Sequence, residues 1–437
     1  GAVIPAFNAV NTGNIPVIAT ITVTPSYTNA GVVCTGPSKT FTITVNPSAD
    51  LIQPTSQVIC NGAATALVSF ISNNLGGATT YSWINNNSTI GLASNGSGNI
   101  LPFNAVNTGT TPVVATIVVT PTFTNVSQAC AGLTKTFTIT VNPSAEVIQP
   151  TALALCNGDS SNVINFNSLN SVGTTSYTWT NTNTSIGLGL NGAGALPSFT
   201  AINTGTSPVS AALTVTPMYT NGGQNCAGSN KTFAITVNPS ADFNQPASQE
   251  LCSGATTTAV AFTTVNTGGT TTYSWTNSNT TIGLAASGSG TIPVFTAVNS
   301  GATLQVATIT VTATYSNAGK SCTTSKTFTY KVHPIPKATI SGLNNFTVCQ
   351  NDVAPSITFT GSNGTAPYTF TYSIGTNNFV VSSPGTSSSA TVTVPTLNNG
   401  NFVVRLISVQ DASATACTSS TIISPNVAYV EVLEQGT

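Results

Sequence analysis

Apolar and polar residues alternate along short stretches of this chain, most clearly between Lys135 and Ala145. There Phe137, Ile139 and Val141 alternate with threonines before an Asn-Pro pair. A period of two is that of a β-strand with one buried and one solvated face. Because proline cannot donate to a sheet ladder, the strand ends at this pair. The pattern therefore predicts the last strand of a module, followed by a short joint.

The same stretch recurs unchanged at 39–49 and with one substitution at 231–241. The period is 96 residues, and cysteines and tryptophans keep it as well. The residues that follow this period are Cys34, Cys130, Cys226 and Cys322; Cys60, Cys156 and Cys252; and Trp83, Trp179 and Trp275. Self-similarity at a long fixed period indicates an array of structural units. The chain is therefore expected to consist of tandem modules.

The repeat divides the chain into five modules, of which the first matches only the second half of the unit. They are module 1 (1–46), module 2 (47–142), module 3 (143–238), module 4 (239–334) and the divergent module 5 (335–437). The strands expected in module 2 are Val58–Cys60, Leu67–Ile71, Thr79–Ile84, Ile90–Ala93, Ile100–Val106, Val113–Thr120 and Thr136–Val141. Short strands at this spacing around a tryptophan are typical of an immunoglobulin-like sandwich. The predicted fold class is all-β, with tandem immunoglobulin-like sandwiches in a rod.

Composition narrows the range of functions. Only 4% of residues are charged and the formal net charge is -1, so no nucleic-acid partner is expected. No apolar run approaches the roughly 18 residues that a bilayer span needs, so no membrane insertion is expected. The first residues lack the charged and apolar regions of a signal peptide, so none is expected there. The 40% of hydrophobic residues, in clean alternation, predict a folded chain.

The nine cysteines point to disulfides and to an oxidising, extracytoplasmic location. The expected pairing lies within modules: Cys60 with Cys130, Cys156 with Cys226, Cys252 with Cys322 and Cys349 with Cys417, leaving Cys34 alone. The rival scheme joins neighbours across joints, Cys34 with Cys60 and Cys130 with Cys156, leaving Cys417 alone. Disulfide Cα atoms must approach within about 7 Å, whereas corresponding ends of consecutive sandwiches lie some 40 Å apart. This favours the first scheme, which requires Cys60 and Cys130 at the same end of the module.

Candidate catalytic and metal-binding residues are few. His333 is the one histidine and stands where other modules have the asparagine of Asn-Pro, and no serine lies in a nucleophile-elbow motif. No catalytic or cofactor-binding residue is therefore predicted. Acids recur singly at Asp50, Glu146 and Asp242. Calcium takes six to eight oxygen ligands, so one acid per joint predicts no metal site.

One aromatic residue per module recurs in what is expected to be the loop after the sixth strand. These residues are Tyr27, Phe123, Tyr219 and Tyr315. Packing of each ring under its own loop is the favoured interpretation, and a row of sugar-stacking platforms is the alternative. The tryptophans of the repeat, Trp83, Trp179 and Trp275, are expected in the core, with Trp83 against Val68 and Phe70.

Four features together resemble the PKD-like modules of giant cell-surface proteins of gliding Bacteroidetes. They are the Tyr-x-Trp strand at Tyr81, the Cys-x-Gly at Cys60, the late cysteine at Cys130 and the closing Thr-Phe-Thr-Ile-Thr-Val-Asn-Pro. The segment Ala366–Ile374 is similar to a recurrent sequence motif of gliding-motility adhesins of the SprB type. The resemblance covers the whole chain, although the Asp-rich turn of better-known PKD domains is missing.

The resemblance implies a repeat segment of a secreted adhesin or filament on a bacterial cell surface. Its implied role is mechanical display and attachment, including gliding motility, without enzymatic activity. The implied partners are a surface polysaccharide or another cell-surface or substratum ligand, and further modules of the same long chain. The alternative function is a set of carbohydrate-binding accessory modules of a secreted enzyme, which would require exposed aromatic rings.

Overall fold

The computed structural model describes residues 2–342 and 345–435, in which the only helices are three single 3₁₀ turns. The all-β prediction is confirmed. Gly1 and Thr437, which bound the first and last modules, lie outside the described residues. By Cα proximity the chain divides into two compact units. The first contains Gly1–Leu153, Ser160–Phe199 and Ala211–Ile235, and the second contains Ala154–Asp159, Thr200–Ser210 and Thr236–Thr437.

Module 1 contains only half of a sandwich. Its strands are β1 (Val17–Val23), β2 (Ser26–Asn29), β3 (Val32–Thr35) and β4 (Lys39–Val45). Strand β1 pairs antiparallel with β4, and β2 pairs antiparallel with β3. Phe41 is 46% exposed, whereas its counterpart Phe137 in module 2 is 3% exposed. In the part of the chain that the structure describes, the apolar residues of this half module therefore have no second layer over them.

Module 2 shows the arrangement that the complete modules share. Its strands are β5 (Gln57–Cys60), β6 (Ala78–Asn85), β7 (Asn95–Ser97), β8 (Val113–Asn125), β9 (Gln128–Ala131) and β10 (Lys135–Asn142). They form one sheet in the order β5-β10-β8-β6-β7, with β9 also paired to β8. Strand β5 runs parallel to β10, and the other pairs of neighbours are antiparallel. The closing strand predicted from the repeat is thus an inner strand of the sheet.

Modules 3 and 4 repeat this sheet. The strands of module 3 are β11 (Leu153–Cys156), β12 (Thr174–Asn181), β13 (Asn191–Ala193), β14 (Val209–Asn221), β15 (Gln224–Ala227) and β16 (Lys231–Asn238). Those of module 4 are β17 (Gln249–Cys252), β18 (Thr270–Asn277), β19 (Ser287–Ser289), β20 (Gln305–Asn317) and β21 (Lys320–His333). The sheet of module 3 has the strand order β11-β16-β14-β12-β13, with β15 also paired to β14. The sheet of module 4 has the strand order β17-β21-β20-β18-β19. Each full copy of the sequence repeat therefore folds into a sheet of the same topology.

Module 5 has two regular sheets. Its strands are β22 (Lys337–Ser341), β23 (Phe346–Cys349), β24 (Ser356–Ser362), β25 (Thr369–Ile374), β26 (Asn377–Ser382), β27 (Ser389–Thr393), β28 (Gly400–Gln410), β29 (Thr418–Ser419) and β30 (Val427–Leu433). One sheet has the order β22-β24-β27, and the other has the order β23-β30-β28-β25-β26, with β29 on β28. Phe359 and Phe370, one from each sheet, are fully buried between them. The divergent module is thus a two-layer sandwich.

The second layer of modules 2 to 4 is less regular than predicted. In module 2 the expected strands Leu67–Ile71 and Ile100–Val106 carry isolated bridges, such as that between Val68 and Ile100. The expected strand Ile90–Ala93 is not formed: Ile90 belongs to a 3₁₀ turn, Ser88–Ile90, and the regular strand that follows is β7 (Asn95–Ser97). Asn87 caps this turn by accepting a hydrogen bond from the Thr89 amide, a local side-chain bond that competes with a sheet ladder. Equivalent turns lie at Thr184–Ile186 and Thr280–Ile282.

The tryptophans lie in the module cores. Trp83 is 7% exposed and belongs to one cluster with Val68 and Phe70, while Trp179 and Trp275 are 4% and 5% exposed. A glycine lies against each indole, at Gly96, Gly192 and Gly288, where a Cβ would come within 2.1 to 2.3 Å of the ring atom Cζ2. The repeat therefore keeps a glycine opposite each tryptophan because no side chain fits there.

Candidate functional site: the joints between modules

The pairing of β5 with β10 decides where the cysteines of a module lie. The parallel register places Cys60 opposite Asn142, the last residue of the closing strand. We call this end of a module its trailing end, and the end where the closing strand begins its leading end. Cys130 lies in the β8–β9 hairpin beyond the start of β10, opposite Phe123. The two cysteines of one module therefore lie at opposite ends of the sheet.

The disulfides accordingly connect consecutive modules. They are Cys60–Cys226, Cys156–Cys322 and Cys252–Cys417, with Cα–Cα distances of 5.4, 5.6 and 5.6 Å. Each joins a trailing-end cysteine to a late cysteine of the next module, 166, 166 or 165 residues further along the chain. The remaining cysteines, Cys34, Cys130 and Cys349, form no disulfide within residues 2–342 and 345–435.

Both pairings inferred from the sequence are wrong. The first scheme joined Cys60 to Cys130, Cys156 to Cys226, Cys252 to Cys322 and Cys349 to Cys417. It fails because the edge strand runs parallel to the closing strand, which carries the early cysteine to the trailing end. The rival scheme, Cys34 to Cys60 and Cys130 to Cys156, pairs ends that do not meet. The joint instead brings the trailing end of one module to the leading hairpin of the next.

A glycine turn lets this hairpin approach the preceding module. Gly222 and Gly223 form the tip between β14 and β15, with φ of 57° and 77°. A Cβ on Gly222 would lie 3.0 Å from Val58 Cγ1 in strand β5. Glycine adopts such positive φ values without steric cost, so both the turn and the close approach favour it. The hairpin tip thus rests on the strand that carries Cys60.

A pair of asparagine side chains closes each of the first three joints. Asn142, fully buried, donates from Nδ2 to the Asn221 carbonyl at 2.9 Å, and Asn221 Nδ2 donates to Asn142 Oδ1 at 2.8 Å. The same reciprocal pair joins Asn46 to Asn125 and Asn238 to Asn317. The asparagine of Asn-Pro is therefore a contact residue of the joint, a role that the sequence did not reveal because its partner is 79 residues away.

The recurrent aromatic residues lie within strands, not in a loop, and those of the complete modules face inwards. Phe123, Tyr219 and Tyr315 are fully buried, whereas Tyr27 in the half module is 69% exposed. The Tyr219 hydroxyl donates to the Ser171 carbonyl at 3.0 Å. Burial raises the pKa of both buried tyrosines. The interpretation of Phe123, Tyr219 and Tyr315 as sugar-stacking platforms is thus wrong, because their rings are covered by their own modules.

His333 acquires a partner that the sequence did not indicate. It lies at the end of β21, where the parallel pairing with β17 brings Glu250 close. His333 Nε2 is 2.6 Å from Glu250 Oε1, and Lys331 Nζ is 3.6 Å from Glu250 Oε2. The hydrogen bond from His333 and the charge of Lys331 lower the pKa of Glu250. His333 thus takes the place of the joint asparagine of Val-Asn-Pro and hydrogen-bonds to Glu250 within the same sheet.

Two lysines of module 4 make further ion pairs. Lys320 Nζ lies 3.0 Å from Asp159 Oδ2, an acid at the trailing end of module 3. The Cys156 amide, which donates to Asp159, and the Lys320 ammonium lower the pKa of this carboxyl group. Lys326 Nζ lies 2.9 Å from Asp242 Oδ1 and 5.0 Å from the centroid of the Phe243 ring. These contacts join segments that are distant in sequence.

The acids do not gather into a metal-binding group. Within residues 2–342 and 345–435, no three His, Cys, Asp or Glu side chains are close enough together to ligate one ion. Asp50 instead accepts from Asn73, and Asp242 is paired with Lys326. Over the same residues no helix has the length and apolarity that a membrane span requires. The joint, with its disulfide, asparagine pair and hairpin, is the most distinctive recurring arrangement.

Comparisons with known proteins give structural matches but no family. No protein-family model matches the chain, and no curated protein matches it. Among solved structures, the human desmocollin-1 ectodomain aligns with a TM-score of 0.27 at 10% identity, covering 92% of this chain and 83% of that one. Drosophila N-cadherin EC1-4 aligns with a TM-score of 0.27 at 13% identity, covering 87% of this chain and 99% of that one. The Sidekick-1 immunoglobulin domains 1-5 align with a TM-score of 0.23 at 14% identity, covering 95% of each chain. At these scores no binding property is transferred to this chain.

Proposed function

We propose that this chain is a repeat segment of a long, secreted cell-surface adhesin or filament. Its role is mechanical display and attachment, and it has no catalytic role. The observation that carries the proposal is the set of disulfides between consecutive modules. Such bonds persist in oxidising, extracellular surroundings and are rare in reducing ones. Covalent joints suit a protein whose modules must stay together outside the cell.

The resemblance to PKD-like modules of gliding Bacteroidetes supports a bacterial cell surface and gliding motility as the setting. The partners are then a surface polysaccharide or another cell-surface or substratum ligand, together with further modules of the same chain. The near absence of charge supports attachment through neutral polar surface, because threonine, serine and asparagine supply most of the polar side chains.

The alternative of carbohydrate-binding accessory modules is not favoured. Such modules would present aromatic rings to the solvent as stacking surfaces. In the complete modules the recurrent rings of Phe123, Tyr219 and Tyr315 are fully buried. The alternative would therefore need a recognition surface unrelated to the repeated aromatics.

Surface labelling tests the proposed function. Antibodies raised against the oxidised chain are expected to label intact, unpermeabilised cells of the source organism, and brief protease treatment of those cells should remove the label. Beads coated with the oxidised chain should attach to the source cells or their substratum more than beads coated with an unrelated immunoglobulin-like protein. Labelling that appears only after permeabilisation would overturn the proposal.

A further inference from the structure

The disulfides of this chain form overlapping loops. Their covalent loops span residues 60–226, 156–322 and 252–417. Residues 156–226 lie in the first two loops, and residues 252–322 lie in the last two. Every peptide bond between Cys60 and Cys417 is therefore bridged by at least one disulfide. Bridges confined to single modules would leave each joint dependent on the backbone alone.

Overlap changes the route that tension takes when the chain is pulled from its ends. The shortest covalent path runs from the start of the chain to Cys60, crosses to Cys226, follows the backbone to Cys252 and crosses to Cys417. The segments between Cys60 and Cys226 and between Cys252 and Cys417 are bypassed. Once this path is taut, further extension requires a covalent bond to break, whatever the folding state of the bypassed modules.

The middle disulfide has a different part in this network. Cys156–Cys322 lies off the shortest path, because both of its cysteines are inside bypassed segments. It is nevertheless the one bridge that spans residues 226–252, where the other two loops leave a gap. It carries tension when the backbone in that gap is cut. The three bridges thus act as two tension links and one safeguard.

We propose that this segment is a covalently latched, tension-bearing tether, in which overlapping cross-module disulfides shield most of the chain from load and keep it whole after a single backbone cut. This function rests on the proposed role as a surface adhesin or filament, since both force and proteases act on such a protein. It depends only on which cysteines are joined, and each joined pair lies within one of the two compact units.

Single-molecule pulling on the full chain, attached by its ends, tests the tension route. At about 3.5 Å per extended residue, the oxidised chain should become taut at about 380 Å and the reduced chain at about 1,500 Å. The double variant Cys60→Ser with Cys226→Ser should become taut at about 870 Å, because the path then detours through the middle bridge. The double variant Cys156→Ser with Cys322→Ser should keep the wild-type value.

These lengths do not depend on whether a variant is as stable as the wild type, because they are read after unfolding. Cys130→Ser, which changes an unbonded cysteine, is the matched control and should leave the taut length unchanged. A lengthening on loss of Cys156–Cys322, or a wild-type chain that extends to the reduced length before any reductant is added, would overturn the tension route. Surface labelling is read separately, so the adhesin role can hold even if this route fails.

A single backbone cut tests the safeguard. A site for a sequence-specific protease is inserted at Ala247, an exposed residue between Cys226 and Cys252. After cleavage the chain should run as one band without reductant and as two fragments with it. In the Cys156→Ser, Cys322→Ser background it should separate without reductant. A site at Gly31, before all the loops, is the control and should release its fragment in either case. Separation of the Ala247-cut wild type without reductant would overturn the proposal.

Discussion

Cys60 lies opposite Asn142 in the parallel pairing of β5 with β10, and this one relationship determines the connectivity of the chain. It places the early cysteine at the trailing end of its module, within reach of the hairpin of the next module. The reciprocal contact between Asn142 and Asn221 holds that hairpin in place. A covalent bond and a polar pair thus fasten the same joint, and both come from residues at the end of the closing strand and its neighbour.

We expect peptide mapping without reduction to recover three cross-linked pairs. They are Cys60 with Cys226, Cys156 with Cys322 and Cys252 with Cys417. Cys34, Cys130 and Cys349 should be alkylated under native conditions in the recombinant chain, since they form no disulfide among the described residues. A peptide that links Cys60 to Cys130 would contradict the structure.

Much of the fold is predictable from the sequence because local periodicity specifies it. The alternation of Phe137, Ile139 and Val141 with threonines predicts the closing strand, which the structure has at Lys135–Asn142. The second layer is less regular than the sequence predicts, since local bonds such as that of Asn87 replace strand ladders there. Periodicity specifies which face of a strand is buried but not whether its neighbour runs parallel or antiparallel.

The sequence could not predict the joint because it does not show in which direction the neighbouring strand runs. A β5 strand antiparallel to β10 would end at the leading end and place Cys60 beside Cys130, which is the pairing that the sequence alone favoured. The hydrogen bond between His333 and Glu250 is hidden in the sequence for the same reason, because parallel pairing joins residues 83 apart. Repeat spacing identifies the joint cysteines and asparagines as recurrent, yet the partner of each lies in another module.

Replacement of Gly192 by alanine should destabilise module 3. The new Cβ would lie 2.3 Å from Trp179 Cζ2, and a buried indole in a packed core cannot move away without strain. Overpacking of this kind costs about 1 to 3 kcal/mol. Gly189→Ala is the matched control, since a Cβ there would meet no atom of the described residues within 4 Å and should cause little change. Urea denaturation monitored by tryptophan fluorescence measures both, and equal midpoints would contradict the packing argument.

Replacement of Asn142 by alanine should loosen the joint between modules 2 and 3. It removes two hydrogen bonds, so the side-chain amide and the backbone carbonyl of Asn221 both lose a partner at the joint. This loss costs about 1 to 3 kcal/mol. Amide hydrogen exchange should speed up in the β14–β15 hairpin and in β5, with the disulfide kept intact. Asn191→Ala, at an exposed position in β13, is the control and should leave exchange at the joint unchanged. Unaltered exchange in the Asn142 variant would mean that the disulfide alone holds the joint.

The contact between Asp159 and Lys320 should weaken in acid. The folded state lowers the pKa of Asp159, so its contribution to stability is present above the unfolded pKa of about 3.9 and is lost as the pH falls through the lower folded value. Both side chains are more than a third exposed, so the contribution is small and is screened by salt. The stability difference between wild type and Asp159→Asn should be measurable at about pH 7 in low salt and should vanish well below about pH 3.9. A difference that grows towards low pH would have the wrong sign for this mechanism.

The hydroxyl of Tyr219 should contribute to the joint, and its ring to the core. The hydroxyl donates to the Ser171 carbonyl at 3.0 Å, and the Ser171 amide donates to the Thr110 carbonyl of the preceding module at 3.2 Å. Tyr219→Phe should therefore cost only about 0.5 to 1.5 kcal/mol while speeding amide exchange at Ser171.

Tyr219→Ala removes the buried ring as well and should cost about 3 to 5 kcal/mol, spread through module 3. Module 2 supplies a natural comparison, because Phe123 occupies the equivalent position and is equally buried without a hydroxyl. Phe123→Tyr should accordingly be accommodated only if its hydroxyl finds an acceptor near Gly77, whose backbone lies against the end of the ring. If Tyr219→Phe proved as damaging as Tyr219→Ala, the hydroxyl rather than the ring would be the main anchor, and the assignment of separate roles to the two would be wrong.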